Sequence, residues 1–183
     1  MGEITMRYIR IPMDRLGVLI GHNGETRKKI EKSVNIQLDI DSKLGEVRYN
    51  ESDIEDPLLF FKIENIIRAI GRGFSPEHAL MLLQDEMDFF IYDIHDYVGK
   101  KPAHIQRLKS RVIGKNGKTR NVLEELTQCY ISIYGHTISI IGNIVSIDIC
   151  KKAIDKLLSG SKHATVYRYV ERSMKKLRYE QGF

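Results

Sequence analysis

Cysteine is scarce in this chain of 183 residues, where only Cys129 and Cys150 occur. Neither belongs to a Cys-x-x-Cys pair or stands beside a histidine at the spacing of metal ligands. This pattern argues against a disulfide framework and against a zinc site, so no metal is expected. Both cysteines are predicted to be small, buried, apolar residues.

Long hydrophobic runs are also absent, since no stretch approaches the length of a membrane span. The first residues, 1–5, lack the basic region and apolar segment of a signal peptide. We therefore expect a cytoplasmic protein.

Sequence patterns of catalysis are missing as well, because the six histidines are scattered and no His-Glu-x-x-His or Gly-x-Ser-x-Gly motif occurs. Gly117-Lys118-Thr119 ends like a phosphate-binding P-loop, but that motif needs a glycine where Val112 stands. The P-loop should also follow a strand, whereas the residues before Gly114 are predicted to be helical. No enzymatic activity and no cofactor are expected.

Charge and size set the broad class of the molecule. Lys and Arg number 29 against 24 Asp and Glu, giving a net charge of +5 and a pI near 9.1. This excess favours polyanionic partners. A hydrophobic content of 42% allows one sizeable core or two small ones.

An internal repeat favours two cores. The segment 19–27 returns as 112–120 at an offset of 93 residues, and the apolar positions stay in phase through the next two elements. Both copies predict the order βααββα. The predicted elements are Ile4–Ile11, Met13–Ile20, Glu25–Ser33, Asn35–Ile40, Glu46–Tyr49 and Pro57–Ile70 in the first copy, and Phe89–Ile94, Ala103–Ile113, Lys118–Thr127, Cys129–Tyr134, Thr137–Ile141 and Ile144–Leu158 in the second.

Two further segments complete the predicted organisation of the chain. Residues 75–86 are predicted to be a connecting helix, because Ser75-Pro76-Glu77 is a helix-start pattern. Residues 161–183 are predicted to be a basic helical tail that packs on the second copy through its apolar side. The resulting division is 1–74, 75–86, 87–160 and 161–183, with an acidic loop of roughly ten extra residues before the last helix of the first copy.

The repeated Gly-x-x-Gly turn suits nucleic acid. Two glycines let the main chain approach a phosphate, and the following helix offers free N–H groups at its positive end. From Lys100 to Leu123 there are eight Lys and Arg and no Asp or Glu, so the second turn is predicted to bind more strongly. Its candidate residues are Gly114, Lys115, Asn116, Gly117, Lys118, Arg120 and Arg111, with Val112, Ile113 and Ile131 lining an apolar groove for bases.

The first turn is less basic, because its variable positions are His22 and Asn23 and Glu25 follows it. Its candidate residues are Gly21, His22, Asn23, Gly24, Arg27 and Lys28, with Ile20 and Leu38 in the corresponding groove. Most groove residues are expected to belong to the ordinary core.

Ile20-Gly21-x-x-Gly24 and Ile113-Gly114-x-x-Gly117 within βααββα order resemble the KH domain of the eukaryotic type, over about residues 1–160. The resemblance implies an α+β fold of two tandem type I KH domains with three-stranded antiparallel sheets packed on helices. It also implies that each turn clamps about four nucleotides of single-stranded RNA.

The second copy resembles a narrower family, the archaeal and eukaryotic ribosome-assembly KH factors known as partners of the Nob endonuclease. The resemblance rests on residues 110–120, on Ile138–Gly142, and on Val166-Tyr167 and Met174. It implies a monomeric scaffold near the 3′ end of small-subunit ribosomal RNA, beside a processing endonuclease, a dimethyladenosine transferase or an initiation factor. Two alternatives remain open: a protein-interaction module with vestigial KH surfaces, and a general single-stranded nucleic-acid binder that also accepts DNA.

Overall fold

The computed structural model describes residues 6–54, 56–180 and 182, and it divides between Asp85 and Glu86 into two compact units. The first unit contains one three-stranded sheet and four α-helices in its described part. They are strand β1 (Met6–Arg10), helix α1 (Met13–Ile20), helix α2 (Glu25–Val34), strand β2 (Asp39–Asp41), strand β3 (Glu46–Asn50), helix α3 (Pro57–Gly71) and helix α4 (Pro76–Leu80).

The sheet of the first unit is antiparallel, with β3 between β1 and β2. Helix α3 begins because the Asp56 side chain accepts a hydrogen bond from the Leu58 N–H and proline occupies the first turn. Its fully buried isoleucines recur at helical spacing and form the centre of the core. They are Ile63, Ile66, Ile67 and Ile70.

The second unit has the same βααββα order, with one extra helix after its first strand and another after its last helix. Its elements are strand β4 (Met87–Asp93), helix α5 (His95–Val98), helix α6 (Pro102–Ile113), helix α7 (Lys118–Thr127), strand β5 (Tyr130–Tyr134), strand β6 (Thr137–Asn143), helix α8 (Ile144–Leu158) and helix α9 (His163–Glu180). Strand β6 lies between β4 and β5 in an antiparallel sheet, and its residues 137–142 are all buried.

Helix α9 packs on α7 and α8 of the same unit. Its buried side chains, Val166, Val170 and Met174, recur every four residues and therefore lie on one face. The segment that ends the first unit also has buried side chains. They are Ala79 of α4 and Leu82 of the 3₁₀ turn that follows it.

The structure confirms an α+β fold with two three-stranded antiparallel sheets, and most predicted boundaries agree within two residues. The strand predicted at Asn35–Ile40 is wrong over its first four residues, because only Asp39–Asp41 pair with β3. Residues 51–56 separate β3 from α3, fewer than the ten expected, and Glu55 among them lies outside the described residues, as do Ile4 and Thr5. Helix α5 was not predicted.

Both cysteines are free and buried, as predicted. Among the described residues, no helix combines the length and apolarity needed to cross a membrane.

Candidate nucleic-acid interface

Each Gly-x-x-Gly segment forms a 3₁₀ turn between two helices, and the two turns have nearly the same main-chain conformation. Gly21 and Gly114 both have φ 74° and ψ 175°, while Gly24 and Gly117 both have φ 77°. The asparagines between them, Asn23 and Asn116, have φ of 50° and 52°. The shape of the turn is therefore repeated although its charged side chains differ.

The two glycines of a turn are needed for different reasons. A Cβ on Gly114 would overlap Thr119, with both the main-chain N and the Cβ of that residue at 2.7 Å. A Cβ on Gly117 would meet only the Asn121 side chain at 3.9 Å. The first glycine permits close packing inside the turn, whereas the second leaves an open approach to the start of α7.

Helix α7 presents an anion-binding end at this opening. It begins at Lys118 with Gly117 as its N-cap, so no side chain covers its first N–H groups. These groups and the helix dipole attract a negative charge. Helix α2 begins in the same way after Gly24.

The cations around the second turn are exposed. Lys115 and Asn116 lie at the tip of the turn, and Lys118 is exposed at the start of α7. Arg120 forms an ion pair with Glu124, Nε to Oε2 at 3.7 Å, but 44% of its side chain remains accessible. This end of the unit can therefore offer several positive charges to a phosphate chain.

The first turn itself, residues 21–25, contains no lysine or arginine. His22 and Asn23 are exposed at its tip, and Lys28 is exposed on α2. Arg27 Nε lies 3.4 Å from Glu31 Oε1, and this ion pair occupies the same repeat positions as the Arg120–Glu124 pair of the second unit. Local charge thus differs between two turns of the same shape.

Arg111, proposed above as an RNA contact, is engaged inside the second unit. Its Nε donates to the Leu157 carbonyl at 2.8 Å and an Nη donates to the Ser161 carbonyl at 2.6 Å. These bonds join α6 to the end of α8 and the segment before α9. Arg111 therefore stabilises the unit, and we remove it from the candidate surface.

The apolar groove residues divide into core and surface. Val112 is fully buried and Ile131 is only 4% exposed, so both belong to the core and are corrected from groove to packing residues. Ile20 and Ile113, one residue before each turn, are partly exposed and remain available to a base.

Leu38, the repeat equivalent of Ile131, is 3% exposed and likewise belongs to the core. It lies at the wall of a cavity of 370 Å³ in the first unit, together with Arg27, Arg48 and Tyr49. Burial raises the pKa of Tyr49 to about 12. Its hydroxyl is buried and has no hydrogen-bond partner among the described residues. Arg48 Nη2 lies 2.9 Å from Glu46 Oε2 and 3.5 Å from Asp41 Oδ2, so these two carboxylates offset part of the arginine's positive charge. Sequence reasoning missed Arg48 and Tyr49, which only the register of β3 brings to this cavity.

A glutamate braces each groove. Glu31 Oε1 accepts from the Leu38 N–H at 2.8 Å, and Glu124 Oε1 accepts from the Ile131 N–H at 2.7 Å. Both glutamates occupy the same position of the repeat. The sequence showed that this residue is shared by the two copies, but it did not indicate that its side chain binds a main-chain N–H. The brace fixes the chain that leaves α2 and α7.

Helix α9 braces the second turn. The Tyr167 hydroxyl donates to Thr119 Oγ1 at 3.0 Å, and Thr119 is the residue against which Gly114 packs. His163 Nε2 lies 2.9 Å from the Arg111 carbonyl oxygen. Sequence reasoning gave Tyr167 no position, because nothing in the spacing indicates which helix α9 contacts.

The residues before Gly114 form helix α6, so the turn follows a helix and not a strand. The P-loop interpretation is therefore excluded for this segment.

Comparisons with known proteins agree with this geometry. A family model for the second KH domain of PNO1, described as "Eukaryotic type KH-domain (KH-domain type I)", matches residues 88–175. A KH domain-containing protein of Methanocaldococcus jannaschii is 42% identical over 174 residues, which cover 95% of this chain and 76% of that protein. The RNA-binding protein pno1 of Dictyostelium discoideum is 26% identical over 167 residues, 90% of this chain and 70% of that protein.

A solved structure is also similar. A chain of the a/eIF2alpha-aDim2p-rRNA complex from Pyrococcus horikoshii OT3 is 43% identical, with a TM-score of 0.86 over 95% of this chain and 96% of that chain. The repeated turn, the sheet order and these relatives lead to one conclusion: the chain belongs to the Pno1/Dim2 family of KH-domain RNA-binding proteins.

Proposed function

We propose that the chain is a ribosome-assembly scaffold that binds single-stranded RNA near the 3′ end of small-subunit ribosomal RNA and catalyses no reaction itself. Both units would act as type I KH domains, residues 1–74 and 87–160, joined by residues 75–86 and followed by the basic tail 161–183. The observation that carries this proposal is the open, cation-flanked end of α7 behind Gly114–Gly117.

The proposed path of the RNA follows from the contacts of the second turn. A phosphate meets the N–H groups at the start of α7, with Lys115 and Lys118 exposed beside it. The adjacent base stacks on the exposed part of Ile113. In the first unit the base enters the cavity beside Arg27 and Arg48, and the tip of the turn carries His22 where the second carries Lys115.

The proposed partners rest on a relative. The Pyrococcus horikoshii complex contains a/eIF2alpha and rRNA together with aDim2p. We propose that this chain, as a cytoplasmic monomer, likewise meets rRNA and an initiation factor, besides the processing endonuclease and dimethyladenosine transferase that its family resemblance implies.

Fluorescence anisotropy with an RNA that matches the 3′ end of small-subunit rRNA tests the proposal, with a scrambled RNA and a matched DNA as controls. We expect the matched RNA to bind most tightly. Equal binding of all three oligomers would favour the general nucleic-acid binder, and no binding would favour the protein-interaction module.

A matched pair at Gly117 tests where the RNA lies. Asparagine and aspartate both tolerate positive φ and have nearly the same shape, so Gly117→Asn and Gly117→Asp differ in charge alone. A negative charge about 5 Å from a phosphate weakens binding by about tenfold, so the aspartate variant should bind that much less tightly than the asparagine variant. Equal affinities would place the RNA elsewhere.

The proposed difference between the two turns is tested by Lys115→Glu and His22→Glu. We expect the first variant to lose more affinity and to reduce the slope of log affinity against log salt by about 0.7. Lys152→Glu on α8 is the charge-matched control, since Lys152 is exposed outside the turn. Equal losses at Lys115 and His22 would overturn the ranking.

A further inference from the structure

Two histidines and an aspartate, none of them assigned a role above, meet in the second unit. Asp93 ends β4, His95 begins α5, and His136 lies in the turn between β5 and β6. His95 Nδ1 is 3.0 Å from Asp93 Oδ1, and His136 Nε2 is 3.7 Å from Asp93 Oδ2. The two imidazole rings stack with centroids 4.3 Å apart.

The main chain holds these three residues in place. Asp93 pairs with Thr137 in the sheet, and the Ile94 N–H donates to the His136 carbonyl at 2.9 Å. Asp93 Oδ1 also accepts from the His95 N–H at 2.8 Å. The side chain of Ile94, between the aspartate and the histidine, is fully buried. The cluster therefore stands on the hydrogen-bonded end of β4 and on the turn between β5 and β6.

The spacing of the ligand atoms suits a metal ion. One ligand atom from each residue can be chosen so that all three lie within 4.8 Å of one another. Ligands at about 2.1 Å from a tetrahedral centre lie roughly 3.4 Å apart, a value between the two nitrogen–oxygen distances given above. The rings, 24° from parallel, need a rotation about χ2 to direct both lone pairs at one centre.

The three side chains are accessible to an ion from solvent. Their accessible fractions are 27% for His95, 41% for Asp93 and 43% for His136. Two imidazoles and one carboxylate are the ligand set of borderline divalent ions, whereas Mg²⁺ and Ca²⁺ prefer oxygen alone.

We infer that Asp93, His95 and His136 form a binding site for Zn²⁺ or another late first-row divalent ion. Three protein ligands leave at least one coordination position for water or for an oxygen of a partner. The ion cross-links the end of β4 to the β5–β6 turn, so it stabilises the folded unit and not the unfolded chain. The sequence predicted no metal site, because these residues are scattered along the chain until the sheet brings position 136 to position 93.

Titration of the full chain with Co²⁺, followed by its visible absorption bands, tests the inference, and calorimetry with Zn²⁺ gives the stoichiometry. We expect one ion per chain. Asp93→Asn, His95→Gln and His136→Gln should each weaken binding by at least about tenfold. His104→Gln is the control, since His104 is exposed on α6 outside the cluster, and it should bind as the unaltered chain does.

Two readouts keep the outcome clear if a histidine variant folds poorly. The amide oxygen of Asp93→Asn can still accept the His95 N–H, so this variant retains the local fold. In the unaltered chain, NMR should show that Zn²⁺ shifts the imidazole resonances of His95 and His136 and not those of His104. Absence of saturable binding, or binding that Asp93→Asn leaves unchanged, would overturn the inference.

Discussion

Replacing Gly114 by alanine tests the division of roles between the two glycines of a turn. At φ 74° and ψ 175° a residue with a Cβ is strained by about 1–3 kcal/mol. The new Cβ would also lie 2.7 Å from two atoms of Thr119, an overlap that costs about 1–3 kcal/mol more. We therefore expect the free energy of unfolding to fall by about 4 kcal/mol.

Gly117→Ala is the matched comparison. Its φ is 77°, but the nearest atom to a new Cβ is 3.9 Å away, so only backbone strain of about 1 kcal/mol applies. In urea, with a slope of about 2 kcal/mol per molar, the midpoints should fall by roughly 2 M for Gly114→Ala and about 0.5 M for Gly117→Ala. Equal shifts, or a larger shift for Gly117→Ala, would refute the reasoning.

Two controls sharpen this experiment. Thr119→Ala should not rescue Gly114→Ala, because the Cβ and main-chain N of residue 119 remain. Gly21→Ala and Gly24→Ala should repeat the same order in the first unit, since a Cβ on Gly21 meets Thr26 N at 2.7 Å and one on Gly24 meets nothing within 4 Å.

Other predictions address the braces and the pH dependence. Arg111→Met leaves two main-chain carbonyls without their charged donors. It should lower the free energy of unfolding, measured in urea, by about 2 kcal/mol. Loss of RNA affinity without loss of stability would mean that Arg111 contacts RNA after all. Tyr167→Phe removes the hydrogen bond to Thr119 and should cost about 1 kcal/mol by the same assay, whereas an unchanged midpoint would show that α9 does not brace the turn. A hydrogen bond from Arg48 lowers the pKa of Glu46 below its usual 4.5, so its stabilisation is present above that pH and is lost on acidification through the lowered value. The melting temperature of Glu46→Gln should therefore decline less than that of the unaltered chain below pH 4.5, and coincident declines would contradict this.

Helix positions were largely predictable because their signals are local. Proline before or at the start of α1, α3 and α6 and apolar residues at helical spacing define these segments without knowledge of the rest of the chain. The paired glycines likewise located the turns.

The start of strand β2 was less predictable because the residues before it hydrogen-bond back to α2. The residues after α2 alternate like a strand, yet Asn35 has φ 52° and the Ile36 N–H donates to the Glu31 carbonyl. The Leu38 N–H is taken by the Glu31 side chain. These bonds return the chain to α2, so pairing with β3 starts only at Asp39.

The roles of individual cations in the candidate site were the least predictable. Arg111 and Lys115 contribute equally to a count of local charge, but only Lys115 is exposed at the tip of the turn. Arg111 is held by carbonyls of residues 46 and 50 positions later in the chain. Only the tertiary structure distinguishes a cation that is available to a ligand from one that hydrogen-bonds to main-chain carbonyls of its own unit.

The nearly identical torsion angles of the two turns have a consequence for how this chain can evolve. The glycine and asparagine conformations set the shape of each Gly-x-x-Gly turn. The first variable residue, at the tip of the turn, can therefore change without changing that shape. One copy carries histidine where the other carries lysine, with no change of form. Selection can therefore change the phosphate affinity of each turn separately, by single substitutions at its tip that leave the main-chain conformation of the turn unchanged.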